Sequence, residues 1–232
     1  MPISRRRDSQ KAQTRGRLIE CAHGVFLRHG FHAATLEQIA QEAGVTKGAV
    51  YASFASKAEL FLAVSASRME ERLRGYERVH AAVTSLDTLV REYVAIMIRH
   101  DPDGRWASVV AEAWAVAASD EGFRAALIAQ SARGNAVIAD AVEDLARRAG
   151  SRFRLPREKM STLCTALVRG LLLQRLLDPA AVSKELIAES LVAVLHSMLQ
   201  PRGRLRKRKH HDAHTRRSGR VAAARGGAQR AG

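Results

Sequence analysis

F-H-A-A-T-L-E-Q-I-A-Q-E-A-G-V-T-K-G-A-V-Y-A-S-F-A-S-K-A-E-L, residues Phe31 to Leu60, decides the fold of this chain. Thr35 precedes an apolar-periodic run, with Gln38 three residues on, and this capping-box spacing predicts a helix from Leu36. Leu36, Ile39, Ala40 and Ala43 then fall on one side of it. Gly44 supplies the left-handed backbone that ends the helix, and Val45 packs back into the corner. Thr46 is the N-cap of a second short helix, about Lys47 to Ser53. Ser56 and Glu59 have capping-box spacing again and open a third helix at Lys57. Two short helices around a glycine turn, followed at once by a third, form the layout of a helix-turn-helix.

Within the second short helix, Val50 and Phe54 lie four apart and point to the core. Lys47, Gly48, Tyr51 and Ala52 form the outer face. Gly48 lets a phosphate or a groove wall approach the backbone, Tyr51 offers a ring and a hydroxyl, and Lys47 a charge. Lys57, in the first turn of the next helix, stands where unpaired N–H groups favour an anion. The candidate DNA contacts are therefore Thr35, Thr46, Lys47, Gly48, Tyr51, Ser53 and Lys57, joined by Arg5, Arg6 and Arg7 of an N-terminal arm.

The stretch Arg17 to Leu60 resembles, without a gap, the DNA-binding domain of the tetracycline-repressor (TetR) family of bacterial regulators. Leu18, Ile19, Ala22, Val25 and Phe26 match its first-helix core, and Gly30-Phe31 its Gly-aromatic stop. Thr35, Ile39-Ala40 and Ala43-Gly44-Val45 match the second helix and turn. Lys47-Gly48, Val50-Tyr51, Phe54 and Ser56-Lys57 match the recognition helix and the start of the fourth. Cys21 replaces a usual alanine, His23 and Gly24 are unusual in mid-helix, and Ala52-Ser53 stands where larger residues are frequent. The resemblance implies nine or ten helices and a homodimer whose last two helices pair with their mates. It also implies a small-molecule effector in the second domain that changes the separation of the two DNA-binding heads.

Charge is distributed unevenly. The formal net charge is +15, of which residues 2–17 carry +5 and residues 201–232 carry +10. Residues 18–200 are neutral, with 21 basic and 21 acidic side chains. Two basic tails beside a helix-turn-helix favour nucleic acid as a partner. Four regions follow: a disordered basic arm over 1–9, a DNA-binding head over 10–55, a helical ligand-binding and dimerisation domain over 56–200, and a disordered basic tail over 201–232. The tail's Arg, Lys, Gly and Ala cannot bury enough surface to offset their ordering entropy. No apolar run approaches membrane-spanning length, so a soluble cytoplasmic protein is expected, and the resemblance implies a bacterial one.

Periodicity and breakers predict an all-α chain of about nine helices. The first runs from about Gln10 to His29, and later ones cover Lys57–His80, Ser85–His100, Arg105–Ala118, Gly122–Ala149, Arg157–Leu177 and Ser183–Leu199. Gly150 to Pro156 is read as a loop, and no strand pattern competes. Leu163 to Leu177 is apolar around most of its circumference and should be covered on more than one side. Burial within its own monomer and a subunit interface account for this equally, and the resemblance moves the reading to the interface. The candidate interface residues are Ala166, Leu167, Gly170, Leu171, Gln174, Leu191 and Leu195.

Trp106, Val110 and Trp114 on one helix, with Met97, Phe123, Leu127 and Gln174, are candidates to line a ligand cavity, although ordinary core explains any one of them. Glu112, Gln130 and Asn135 are further candidate polar groups. Cys21 and Cys164 stand far apart without metal-ligand neighbours and read as packing cysteines. His210-His211-Asp212-Ala213-His214 lies in the basic tail, where nothing would preorganise metal ligands. No metal or other cofactor is expected. No nucleophile–base pair or phosphate-cradling loop supports an enzyme. The rival to a sequence-specific regulator is an architectural protein coating DNA through its tails, marked by little sequence preference and a steep salt dependence.

A chain ending at Gln200 is expected to keep its helix content and sequence preference but to bind random duplex DNA more weakly and with a smaller salt slope. Equal non-specific affinity of the full-length and shortened chains at low salt would exclude a DNA role for the tail.

Overall fold

Side-chain caps set where most of the helices begin. In the computed structural model Thr35, Thr46, Ser56, Ser85, Asp120 and Ser183 each accept a hydrogen bond from the backbone N–H three residues on. Each satisfies a donor that the first helical turn leaves open. The capping box at Thr35 and Gln38 is complete in both directions. At Ser56 it is offset, because the Glu59 carboxylate takes the Ala55 N–H at 2.7 Å. The structure describes residues 3–201, with side chains from Asp8 onward. The expected basic tail beyond Pro201 and the side chains of Arg5, Arg6 and Arg7 lie outside the described residues.

Most of the described residues lie in nine helices: α1 Ile3–Ala33, α2 Leu36–Glu42, α3 Lys47–Tyr51, α4 Lys57–Ala82, α5 Leu86–His100, α6 Arg105–Ala117, α7 Glu121–Arg148, α8 Arg157–Leu177 and α9 Lys184–Met198. Helix α1 starts earlier than expected. Residues 3–9, read from sequence as an arm, continue its backbone, since nothing between Pro2 and Gly16 breaks a helix. It is interrupted at Gly30 (φ 76°, ψ 173°). A Cβ there would stand 2.6 Å from the Glu112 carboxylate oxygens. That carboxylate accepts the His32 N–H at 3.0 Å, tying the corner to α6.

The expected loop at 150–156 contains a short strand, β1 Ser151–Phe153, antiparallel to β2 Leu199–Pro201. Three residues per strand are too few to show alternation in the sequence. The pairing also anchors the end of α9, with Arg154 N–H donating to the Met198 carbonyl at 2.8 Å.

Two apolar cores result. The first joins α1, α2, α3 and the start of α4 to α6 and the start of α7. The second is built from the rest of α4 with α5, α7, α8 and α9. Phe61 of α4 is fully buried in the first. It meets Phe26 at 5.7 Å, Phe31 at 5.1 Å and Phe123 at 6.1 Å edge-on, and stacks on Trp106 at 5.5 Å. The three head helices therefore share their core with α4, α6 and the start of α7.

Of the two ways in which helix α8 was expected to be covered, burial within its own monomer is not the one seen. Met160 and Leu172 are buried, but Leu163 is 45% and Leu177 is 87% exposed within the single chain. Among the described residues α8 is also the one helix long and apolar enough, by composition, to cross a membrane, where no such run was expected. It packs on α6, α7 and α9 and carries Arg169 and Arg175 within its length, as a helix of a bundle does.

Phe61→Ala is expected to cost about 3–5 kcal/mol, as large aromatic truncations in a packed core do. In chemical denaturation followed by circular dichroism, loss should occur as one transition. A low-denaturant step confined to residues 10–55 would contradict the shared core.

Candidate nucleic-acid interface and interior cavity

The outer face of α3 is open. Lys47, Gly48, Tyr51 and Ala52 are exposed, with Tyr51 at 48%, while Val50 and Phe54 are buried. A Cβ on Gly48 would meet nothing closer than the Thr46 hydroxyl at 3.9 Å, so the space over this turn is free. Lys47 pairs with Glu37 of α2, and its ammonium lies 5.8 Å from the centre of the Tyr51 ring. The hydrogen bond from Lys47 holds the Glu37 carboxyl below its ordinary range, and the same contact raises Lys47. The pair is exposed, so its net worth is small and a phosphate can replace the carboxylate.

The remaining candidate DNA contacts are partly engaged in the fold. The hydroxyls of Thr35 and Thr46 serve as caps, and the Ser53 hydroxyl donates to the Ala49 carbonyl at 3.1 Å. The Lys57 ammonium donates to the carbonyls of His32 (2.8 Å) and Ala34 (2.9 Å) and lies 4.8 Å over the Phe31 ring. Burial lowers its pKa. Lys57 thus holds the end of α1, a use that its place in sequence did not suggest.

Three arginines of α1 were also missed. Arg15 donates to the Ser53 carbonyl at 2.7 Å and stacks over Phe54 at 4.0 Å. Arg17 donates to the Ala43 carbonyl, and Arg28 pairs with Glu42. These cations hold the carbonyl ends of α2 and α3, where the helix dipole favours them. The partners lie 14 to 38 residues away, beyond the reach of any local pattern.

Behind the head lies a cavity of about 240 Å³ walled by α4 to α9. Of the expected lining residues, Met97, Trp106, Val110 and Trp114 are in place. Phe123 and Leu127 are not: they belong to the first core, where Phe123 stacks on Phe31 at 5.7 Å. Gln174 is exposed and does not line the cavity. Of the candidate polar groups, Asn135 lines the wall, whereas Glu112 binds the Gly30 corner and Gln130 donates to the Leu62 carbonyl at 3.1 Å.

The candidate interface residues also divide. Ala166, Gly170 and Gln174 are exposed on one face of α8, with Leu163 and Leu177, and Leu167 is half-buried beside them. Nothing lies within 4 Å of a Cβ built on Gly170. Leu195 is instead buried in the second core, Leu171 packs partly against it, and Leu191 lines the cavity. The physical reason is that α9 turns Ile187, Ala188, Leu191 and Leu195 inward, where it packs against α5.

Three charged groups in the cavity wall were not anticipated: Arg72, Asp101 and Arg169. Asp101 stands in for the missing cap of α6, which begins after Gly104 in the left-handed region (φ 70°). Its two oxygens accept the N–H groups of Trp106 and Ala107, each at 3.0 Å. Burial raises its pKa, against the lowering effect of those hydrogen bonds and Arg72. Cys164 also faces the cavity, and burial pushes its thiol up to about 11, so it stays protonated and inert.

Comparison with known proteins gives this geometry a family context. Residues 18–64 match the family model for bacterial regulatory proteins of the tetR family. Residues 82–200 match that for the C-terminal domain of BetI-type transcriptional repressors. The chain is similar to the HTH-type transcriptional regulator SrpR of Pseudomonas putida, with 47% identity over 66 residues, 28% of this chain and 31% of SrpR. It is similar to the HTH-type transcriptional repressor BepR of Brucella suis, with 40% identity over 60 residues, 26% of this chain and 29% of BepR. The matched segment thus spans about a third of the length of these relatives. The fold is similar to that of a transcriptional regulator from Rhodococcus sp. Rha1, with a TM-score of 0.62 at 22% identity, over 79% of this chain and 95% of that one.

The outer-face Lys47 and the structural Lys57 predict different outcomes. Lys47→Ala and Tyr51→Ala should weaken DNA binding in a gel-shift titration and leave the melting temperature nearly unchanged. Lys57→Ala should instead lower stability by about 1–3 kcal/mol, because it frees two carbonyls and an aromatic face. Unaltered binding by both outer-face variants would remove α3 from the interface.

Proposed function

The chain belongs to the TetR family of bacterial regulatory proteins, and on that premise we propose that it is a ligand-released repressor. It acts as a homodimer on a palindromic operator, in the bacterial cytoplasm and on DNA. Its work is binding rather than catalysis. The observation that carries this reading is the double use of α4 and α6. Phe61 and Trp106 stack in the core of the head, while Arg72 on α4 and Trp106, Val110 and Trp114 on α6 wall the cavity.

A ligand that prefers one placement of α4 and α6 therefore prefers one placement of α3. For a dimer, the two recognition helices must enter major grooves about 34–36 Å apart. A ligand favouring another separation lowers operator affinity by its differential affinity for the two states. The outer face of α3 offers Lys47 and Tyr51 but no Arg, Asn or Gln, so direct base contacts are few and DNA shape contributes to specificity.

The exposed face of α8 supports the dimer. Leu163, Ala166, Gly170 and Leu177 recur at helical spacing and leave an apolar strip uncovered in the single chain. Gly170 permits close approach by a second helix. Genomic footprinting with the purified protein tests the function directly. A palindromic protected site supports it, and protection spread without sequence preference points to architectural coating of DNA.

Gly170→Arg would place an unpaired charge in this apolar contact. The variant is expected to remain helical, to sediment as a monomer at micromolar concentration and to lose most operator affinity. A wild-type chain that itself sediments as a monomer would overturn the dimer.

A further inference from the structure

The apolar cavity carries two cations that its hydrophobic lining does not explain. Arg72 projects from α4 and Arg169 from α8, and both line the wall. Among the described residues neither forms an ion pair. Arg72 Nη2 rests 4.0 Å from the Met69 sulfur, and the Arg169 guanidinium lies 4.0 Å over the Trp114 ring. Both contacts leave most of the guanidinium N–H donors without an acceptor.

The charge balance of the wall is positive. Asp101 is its one carboxylate, and both Asp101 oxygens are already occupied by backbone N–H groups of α6. Tyr93, which burial pushes to about 12, and Cys164, pushed to about 11, stay neutral. Burial also lowers the pKa of Arg72 and brings Arg169 down to about 10, with the Arg72 charge as the second cause for Arg169. Two half-buried guanidiniums in one apolar wall, the charge of one acting against the other, are a cost to the empty protein, and an anion between them lowers it.

We propose that this cavity takes an amphiphilic carboxylate, its acid group held by Arg72 and Arg169 and its apolar body lying against Val110 and Trp114. A carboxylate matches the planar donor fork of arginine, and the cavity volume of about 240 Å³ accommodates a short apolar body. A quaternary ammonium or another cation would meet uncompensated positive charge. The inference rests on the reading of this cavity as the effector site. It goes further in fixing the charge of the ligand and the two residues that hold it.

The test uses full-length protein and three ten-carbon probes below their aggregation concentrations: decanoate, decanol and decyltrimethylammonium, each titrated by isothermal calorimetry. Decanoate is expected to bind at least about tenfold more tightly than the ammonium. Arg169→Met and Arg72→Met should each weaken decanoate by about tenfold or more and leave decanol within about threefold. Decanoate should also change tryptophan fluorescence in the wild type as Arg169 moves off Trp114, and not in Arg169→Met. If Arg72→Met fails to fold, Arg169→Met decides alone, since Arg169 lies beside the 42% exposed Trp114. Ammonium or alcohol binding as tightly as decanoate overturns the carboxylate assignment and leaves the cavity reading standing. So does decanoate affinity indifferent to both arginines. No binding by any of the three probes overturns both.

Discussion

The aromatic packing around Phe61 joins the DNA-facing head to the helices that wall the cavity, and the head depends on it. Helices α2 and α3 have 7 and 5 residues, well below the roughly 12–15 at which an isolated helix becomes even marginal in water. Their caps are worth about 1 kcal/mol each, too little to hold them alone. Ile39, Val50 and Phe54 must therefore find a core, and α1 with α4 supplies one side of it. The other side comes from Trp106 and Phe123, which lie more than forty residues beyond Phe61 in the chain. Each aromatic pair adds about 0.5–1.5 kcal/mol beyond the area it buries. Four such pairs at Phe61 outweigh any single cap.

Helix α4 then has two obligations. Phe61 lies in the first core, and Arg72, eleven residues on and roughly 16 Å along the helix, lines the cavity. Spatial continuity is not coupling by itself. What gives it physical content is the start of α4. Lys57 holds the His32 and Ala34 carbonyls at the end of α1, and Ser56 caps the helix beneath them. A tilt of α4 must therefore carry the end of α1 with it or break these bonds. Helix α6 is constrained in the same way through Glu112, which fills the space that a side chain at Gly30 would need.

Local chemistry was legible in the sequence, and long-range pairing was not. Thr35, Gly44, Thr46 and Ser56 are read from spacing because a cap or a turn involves neighbours within four residues, and all occupy the predicted places. Phe123 was misjudged as a cavity residue because its partners, Phe31 and Phe61, are distant in sequence. Leu195 was misjudged because apolar spacing on α9 fits an inward face as well as an outward one, and only packing against α5 decides. Arg72 and Arg169 resemble surface arginines in composition. Their half-buried place in the cavity wall follows from the way α4 and α8 are rotated in the bundle. The outer face of α3 was legible for the opposite reason: exposure of Tyr51 follows once Val50 and Phe54 are assigned to the core.

The cations of the head are largely committed to its own fold. Arg15, Arg17 and Lys57 hold backbone carbonyls, Arg28 pairs with Glu42, and Lys47 pairs with Glu37. Residues 18–200 are neutral as a whole, so the net charge of +15 resides in the two ends of the chain. In the proposed function, attraction and recognition are then divided. The terminal segments supply long-range attraction to phosphate, which carries no sequence information. The small outer face of α3 reads the groove, with Lys47 exchanging Glu37 for DNA. That exchange replaces one exposed ion pair by another, so it adds little net affinity. Its contribution is positional: bound to a phosphate, Lys47 fixes the register in which Tyr51 and the open backbone at Gly48 meet the base edges.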